Sequence, residues 1–237
     1  MGKESFQRLQ EKLRSMIISL PAESRLPSEP KLAKQMGVSR ATLREAMRSF
    51  ETEGLIRRKQ GVGTFVIGDF PIIDAGMEIL ESIEKIAGRL GLNVSTESLE
   101  IQQIDPDVEL SRILDLQKGE TLTRISRVIL TDGRPVAYLV DTLPASLISP
   151  SDLENGYSSS VLDFLLQKGS LNLANSRTEI KAAIAAGEVA NKLQIQRGDV
   201  LLNFIADLSD SSGKVIDRSY SYFLPGYFRF HVNRRVG

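Results

Sequence analysis

Arg40, Arg44 and Arg48 recur every four residues, directly behind a Ser39 that can cap a helix, and Thr42 adds a second short hydroxyl in the same first turn. A helix start carries unpaired backbone N–H groups that favour a phosphate. Hydroxyls add donors there, and guanidinium groups one turn apart can fork onto guanine edges or phosphate oxygens. Further along, Arg57, Arg58 and Lys59 gather positive charge, and Gly61 and Gly63 leave a tip without Cβ atoms that can approach a groove closely. These residue types describe a surface that reads DNA. For the arginine run taken alone, the competing reading is a solvated helix face partnered by Glu45 and Glu51.

The elements that must position these groups are legible around them. Phe6, Leu9, Leu13, Ile17 and Leu20 fall at helical spacing, which predicts an amphipathic helix over 4–19 that Pro21 stops. Ser28 is the expected N-cap of the next helix, with Glu29 and Pro30 in its first turn and Leu32, Ala33 and Met36 on its inner face. Gly37 ends it in a left-handed turn. Ser39 caps a third helix over 40–53, whose apolar stripe is Leu43, Ala46, Met47 and Phe50 and whose end is Gly54. Residues 55–59 and 64–67 read as two short strands around the tip Gln60-Gly61-Val62-Gly63. A brace helix, a tight turn, a recognition helix and a basic hairpin make a winged helix-turn-helix domain over 1–67.

Charge agrees with that division. Residues 1–67 hold 13 Lys+Arg against 7 Asp+Glu, a net +6, and the remainder of this formally neutral chain is therefore −6. A basic head on an acidic body places the polyanion at the head alone. The chain has 237 residues and no cysteine, so disulfides, thiolate catalysis and Cys–zinc sites are excluded. It has no 18-residue apolar run and no apolar signal segment after Met1, which predicts no membrane partner and a cytoplasmic protein. Asp207, Asp210 and Asp217 lack metal-ligand spacing, and no nucleophile triad, HExxH or phosphate loop occurs. No metal, cofactor or catalytic residue is expected, and the chain does not read as an enzyme.

Residues 68–76 are broken by Gly, Pro and Asp and read as a linker; 77–237 reads as a second domain. Ile79, Leu80, Ile83, Ile86, Ala87 and Leu90 predict a helix before Gly91. Beyond 94, strands are expected near 98–104, 121–130, 135–143, 176–185, 199–208, 215–223 and 229–233, with hairpin turns at Asp132-Gly133 and Asp210–Gly213 and helical pieces over 160–168 and 188–193. Strands joined mostly by hairpins imply an antiparallel sheet with helices packed on it, and the fold class is α+β. No internal repeat is evident. His231, the single histidine, alternates with Phe230 and Val232, which favours packing over a ligand or switch role.

Residues 20–67 resemble the winged-helix domain of GntR-type bacterial transcription regulators, in RLPSEPKLA, VSRATLREAM and EGLIRRKQGVGTFV. The resemblance implies that Ser39, Arg40, Thr42, Arg44 and the wing residues Gln60 and Gly61 contact operator DNA, with Arg58 adding charge on the wing. Pro30 and Ala41 depart from the usual pattern. Residues 94–235 resemble the UTRA ligand-sensing domain of the HutC-like branch, a fold similar to chorismate lyase, in LTRISRVILTDGRPVAYLVDTLP, LQIQRGDVLLNFIADLSDSSGKVIDRSYSYF and FRFHV. Arg127 matches the first of an anion-binding Arg-x-Arg pair, Ile129 replaces the second, Leu139 stands at an acidic position and Tyr220 at a late Glu. The implied protein is a homodimeric repressor on a palindromic operator, released by a small-molecule effector. The effector residues would be Arg127, Tyr138, Tyr220 and Tyr222, and the effector small, largely apolar and carrying at most one strong anionic group. Two other readings stand beside it: a chorismate-lyase-type enzyme with a DNA-binding appendage, and an architectural DNA binder without a ligand.

Overall fold

In a computed structural model, residues 3–59, 61–67, 72–148, 152 and 160–236 are described. The head contains α1 (Lys3–Ile18), α2 (Glu29–Met36), α3 (Arg40–Thr52), β1 (Ile56–Lys59) and β2 (Gly63–Val66). Each helix buries the stripe its spacing predicts: Leu9, Leu13 and Ile17 from α1 meet Leu32 and Ala33 from α2 and Leu43, Ala46, Met47 and Phe50 from α3. Gly37 takes φ 67°, closing α2 with its amide on the carbonyl of Lys34. Ser28 precedes α2 as expected but its hydroxyl makes no cap bond; Pro30 in the first turn has already removed one amide that a cap would serve. The wing gains a third edge that the sequence did not disclose. The amide of Leu26 donates to the carbonyl of Thr64 at 2.8 Å, and Val66 and Ser24 pair in the same way at 2.9 Å.

The expected linker shortens. Ile73–Gly76 forms β3, paired in parallel with β10 (Phe228–His231), so these residues belong to the body. The amide of Met77 continues that ladder onto the carbonyl of His231, and the chain then bends over 77–79. The helix expected from 79 therefore begins only at Ile83. This α4 (Ile83–Arg89) is capped by Ser82, whose Oγ accepts the Lys85 amide and donates to Asp163 at 2.6 Å, while Ile79 and Leu80 are left exposed.

The body is a six-stranded antiparallel sheet in the order β4-β5-β6-β9-β8-β7. Its strands are β4 (Val94–Ile104), β5 (Leu122–Thr131), β6 (Arg134–Pro144), β7 (Leu173–Ile184), β8 (Val200–Asp210) and β9 (Val215–Phe223). Helices α5 (Val108–Ile113), α6 (Val161–Lys168) and α7 (Gly187–Lys192) complete it. This order contains a repeat that the sequence reading missed. The unit β4–α5–β5–β6 is followed by β7–α7–β8–β9, and the two meet at β6–β9 about an approximate two-fold axis. Leu114-Asp115-Leu116-Gln117-Lys118-Gly119-Glu120 and Leu193-Gln194-Ile195-Gln196-Arg197-Gly198-Asp199 occupy the same turn in each unit. Asp115 and Gln194 share positive φ (48° and 53°), as do Gly119 and Gly198 (91° and 98°). In each turn the glutamine amide donates to the closing acid, Gln117 to Glu120 at 2.6 Å and Gln196 to Asp199 at 3.0 Å. Outside this turn the two sequences have diverged too far to register as a repeat.

Head and body dock directly. Ile67 joins the body's main core cluster, and Glu23 receives Arg134 at 2.9 Å and Arg57 at 3.8 Å. Gln196 Nε2 donates to the carbonyl of Arg58 at 2.9 Å. Gly54 and Gly226 touch backbone to backbone: a Cβ on Gly54 would lie 2.4 Å from the Gly226 Cα. Gly226→Ala should therefore force the seam apart. Gly213 has a similar φ (87° against 91°) but open space around it, so Gly213→Ala isolates the cost of φ alone. We expect about 1–2 kcal/mol for Gly213→Ala and a clearly larger loss for Gly226→Ala in chemical denaturation. Equal losses would mean that the close approach contributes nothing.

Candidate functional site

The first turn of α3 faces outward. Ser39 Oγ accepts the Thr42 amide at 3.1 Å and shares a hydrogen bond with Thr42 Oγ1 at 2.8 Å. Arg40 and Arg44 each donate through Nε to one oxygen of Glu29, at 3.2 and 3.0 Å. Their partner is thus a residue of the preceding helix, not Glu45 or Glu51. The arrangement holds two exposed guanidinium groups side by side while leaving both NH2 ends of each to meet a target. Gly61 lies exposed at the wing tip with φ 73° and no atom crowding it; Gln60 lies outside the described residues.

Arg48 and Arg58 do not share this surface. Both line a cleft of about 390 Å³ between head and body, together with Glu51, Arg57, Gln196 and Asp199. Burial pushes the Glu51 and Asp199 carboxyls up from their usual range, and the Arg58 charge partly opposes both shifts. Arg58 is half-buried there, so the structure puts it at the seam and not on the wing's free edge. The cause is the register Arg58↔Thr64, with the body's Gln196 seated on the Arg58 carbonyl.

The four expected effector residues separate onto opposite faces of the sheet. Residues directly paired across strands share a face, and neighbours along a strand alternate. Val128 pairs with Tyr138, Tyr138 with Tyr222 and Val140 with Tyr220, so the three tyrosines share one face. Arg127 pairs with Leu139 and lies on the other face, beneath the layer that holds α6. There it is buried and ion-paired to Asp141, so its charge is already met. A second carboxyl, Asp217, is buried close by and accepts the Thr142 amide at 3.0 Å. Burial, then the Asp141 charge, push Asp217 far above the usual carboxylate range, against the pull of the Thr142 amide and Arg127. Asp141 and Asp217 thus give Arg127 the acidic company that Leu139 and Tyr220 lack. An alternation count along β9 would have placed Asp217 on that face and Tyr220 on the other.

The tyrosine face holds a cavity of about 330 Å³ between α5 and α7. Tyr138, Tyr220 and Tyr222 form its floor, Leu110 and Val189 flank it, and Arg124 takes the place expected for Arg127. Tyr138 Oη donates to Glu188 Oε1 at 2.5 Å, and Arg124 reaches the other Glu188 oxygen at 3.4 Å. Burial first, then the Glu188 contact, push the Tyr138 phenol up to about 12, so it stays a neutral donor. The Tyr138 hydrogen bond and the Arg124 charge hold the Glu188 carboxyl below its ordinary value. Tyr138 and Tyr222 lie nearly parallel, ring centres 6.3 Å apart. His231 lies exposed on β10, with Nδ1 2.8 Å from Asp74. No metal-binding cluster occurs among the described residues, and no helix there is long and apolar enough to cross a membrane.

Comparison with known proteins agrees with this architecture. Residues 6–66 match the family described as bacterial regulatory proteins, gntR family, and residues 89–229 match the UTRA domain. The HTH-type transcriptional repressor NagR of Bacillus subtilis is 30% identical over 199 residues, covering 83% of this chain and 81% of that protein. The histidine utilization repressor of Pseudomonas putida is 27% identical over 187 residues, covering 78% and 73%. Among solved structures, PhnF from Mycobacterium smegmatis superposes with a TM-score of 0.65 at 20% identity, over 97% of this chain and 100% of that one.

The buried acid gives a pH test. A carboxyl with a folded pKa above its unfolded one is most compatible with the fold while protonated, and its contribution is lost as pH rises through the folded pKa. Asp217→Asn keeps an acceptor for the Thr142 amide and cannot ionise. Its stability relative to wild type should therefore climb as pH rises from about 4, where an ordinary Asp titrates, towards neutrality. Urea denaturation across that range reads this directly, and a pH-independent difference would contradict it.

Proposed function

Because the chain belongs to the gntR family of bacterial regulatory proteins and carries a UTRA domain, it is a DNA-binding transcription regulator, and we propose that it is a cytoplasmic, homodimeric repressor released from a palindromic operator by a small molecule bound on the tyrosine face of its body. One observation carries the DNA half of this reading. Glu29 fixes Arg40 and Arg44 together at the exposed start of a helix whose apolar side is buried. Ser39 and Thr42 then offer donors to a phosphate, Arg40 and Arg44 reach base edges, and Gln60 and Gly61 bring the wing to the adjoining groove. Repression is the sign carried by the names of the NagR and histidine utilization relatives. Two heads related by a two-fold axis read two half-sites of a palindrome.

For the effector, the cavity over Tyr138, Tyr220 and Tyr222 supplies space, flat apolar surface and a few convergent polar groups, the usual make-up of a ligand site. Arg127, neutralised by Asp141, is a structural residue of the opposite face in this reading. The head over 1–67 and the body from 72 onwards act as separate units joined at the seam, and ligand in the body changes how the heads are presented. By linkage, a ligand that weakens DNA binding binds less tightly to the DNA complex.

DNA fragments that the protein selects from a random pool provide the substrate for testing. Arg44→Ala should weaken binding by about 1–3 kcal/mol and relax sequence preference at one position. Arg58→Ala should act through the seam, lowering affinity for selected and unrelated DNA by a similar factor while leaving the salt dependence near wild type. Wild-type affinity in Arg44→Ala would remove the recognition-helix assignment. Sedimentation of the whole chain tests the dimer, and a monomer at micromolar concentration would contradict it.

A further inference from the structure

The cavity on the tyrosine face sits where the two repeated units meet, between α5 of one and α7 of the other. Its floor is three aromatic rings, and its walls include Ile104, Leu110 and Val189. The charged groups that line it are Asp107, Glu109 and Glu188 against Arg124. Asp107 is partly engaged, accepting the Leu110 amide at 2.7 Å as the cap of α5. Glu188 is fixed by the Tyr138 hydroxyl and faces Arg124. A ring face carries negative charge density and attracts a cation, more so when desolvated. Tyr220 already shows that affinity, with the Arg218 guanidinium 5.5 Å from its ring centre. Arg218 itself is tied to Asp207 at 2.7 Å and is not available to a ligand.

An anionic ligand would meet two more negative than positive groups and a single arginine already opposite a carboxylate. A wholly neutral ligand would leave the carboxylate rim uncompensated. A cation with an apolar body satisfies both parts: its charge pairs with Glu188 and the ring faces, and its body covers the aromatic floor. We propose that this cavity binds an organic ammonium ion, a primary or methylated amine on a small aromatic or aliphatic body. The volume lies at the low end for ligand sites, which confines the ligand to a small molecule. The class rests on the reading of this cavity as the effector site, and replaces the largely apolar ligand with at most one strong anionic group that a site shared by Arg127 and the tyrosines implies.

The experiment is calorimetry on the full chain with two ammonium probes, 2-phenylethylammonium and choline, beside the neutral 3-phenylpropanol and the anionic 3-phenylpropionate. Each probe is also added to the complex with selected DNA. At least one ammonium probe should bind, with 2-phenylethylammonium about tenfold or more tighter than 3-phenylpropanol and 3-phenylpropionate weakest. Glu188→Gln should erase that preference while leaving 3-phenylpropanol unchanged, and Tyr222→Leu should weaken both. The comparison among probes on the wild-type chain does not depend on any variant folding. Failure of both ammonium probes to bind at millimolar concentration, or equal or tighter binding of the carboxylate, overturns the proposal. The two readings fail separately. If an ammonium probe binds without changing DNA affinity, the ligand class stands and the effector role falls. If the carboxylate or the alcohol binds more tightly and releases DNA, the effector role stands and the ligand class falls.

Discussion

The pairing of β6 with β9 is the joint on which the body depends. Tyr138↔Tyr222 and Val140↔Tyr220 bring the two repeated units into one sheet and, in the same stroke, decide which side chains share a face. A slip of one residue there would send the tyrosines into the layer beneath α6 and lift Asp141 towards α5. The apolar ledger resists that slip. Ile125, Leu143 and Leu208 are buried against α6, while Val128 and Tyr138 are buried on the tyrosine side. Both faces are committed, so the register has no alternative of comparable burial.

The head rests on shorter-range logic. Three helices close over a single apolar cluster, and the Gly37 turn sets the angle at which α3 leaves α2. What turns this scaffold into a reading surface is Glu29, one carboxylate that gathers two arginines otherwise free to sample many rotamers. Pre-ordering long side chains lowers the entropy lost when they engage a target. An exposed ion pair of this kind adds little to stability, and its worth lies in position.

Much of this was legible in the sequence wherever the deciding information was local. The stripes of α1, α2 and α3, the Ser39 cap, the turns at Gly37 and Asp132-Gly133, and most strands of the body follow from periodicity and turn chemistry within a few residues. Apart from the unmade Ser28 cap, the main departures involve partners far apart in the chain. Ile73–Gly76 reads as linker because its strand partner, Phe228–His231, lies at the other end of the body. The helix expected from Ile79 starts at Ile83 because the same ladder ties Met77 to the His231 carbonyl. Arg127 and the tyrosines read as one site because their faces are set by register across β5, β6 and β9, which no single strand discloses. The repeat stayed hidden because only its turn, Leu114–Glu120 and Leu193–Asp199, kept a shared pattern.

The backbone contact between Gly54 and Gly226 limits how freely nature or an engineer can trade parts. Heads of this family look like interchangeable cartridges, since the recognition helix and wing are self-contained. Here the cartridge seats on its body through two positions that admit no side chain, beside the Glu23–Arg134 pair and the Gln196 bond to the Arg58 carbonyl. A transplanted head with any larger residue at position 54 would be held off its new body even if it folded and bound DNA perfectly well. Chimaeric sensors built on this chain must therefore carry over the socket as well as the plug.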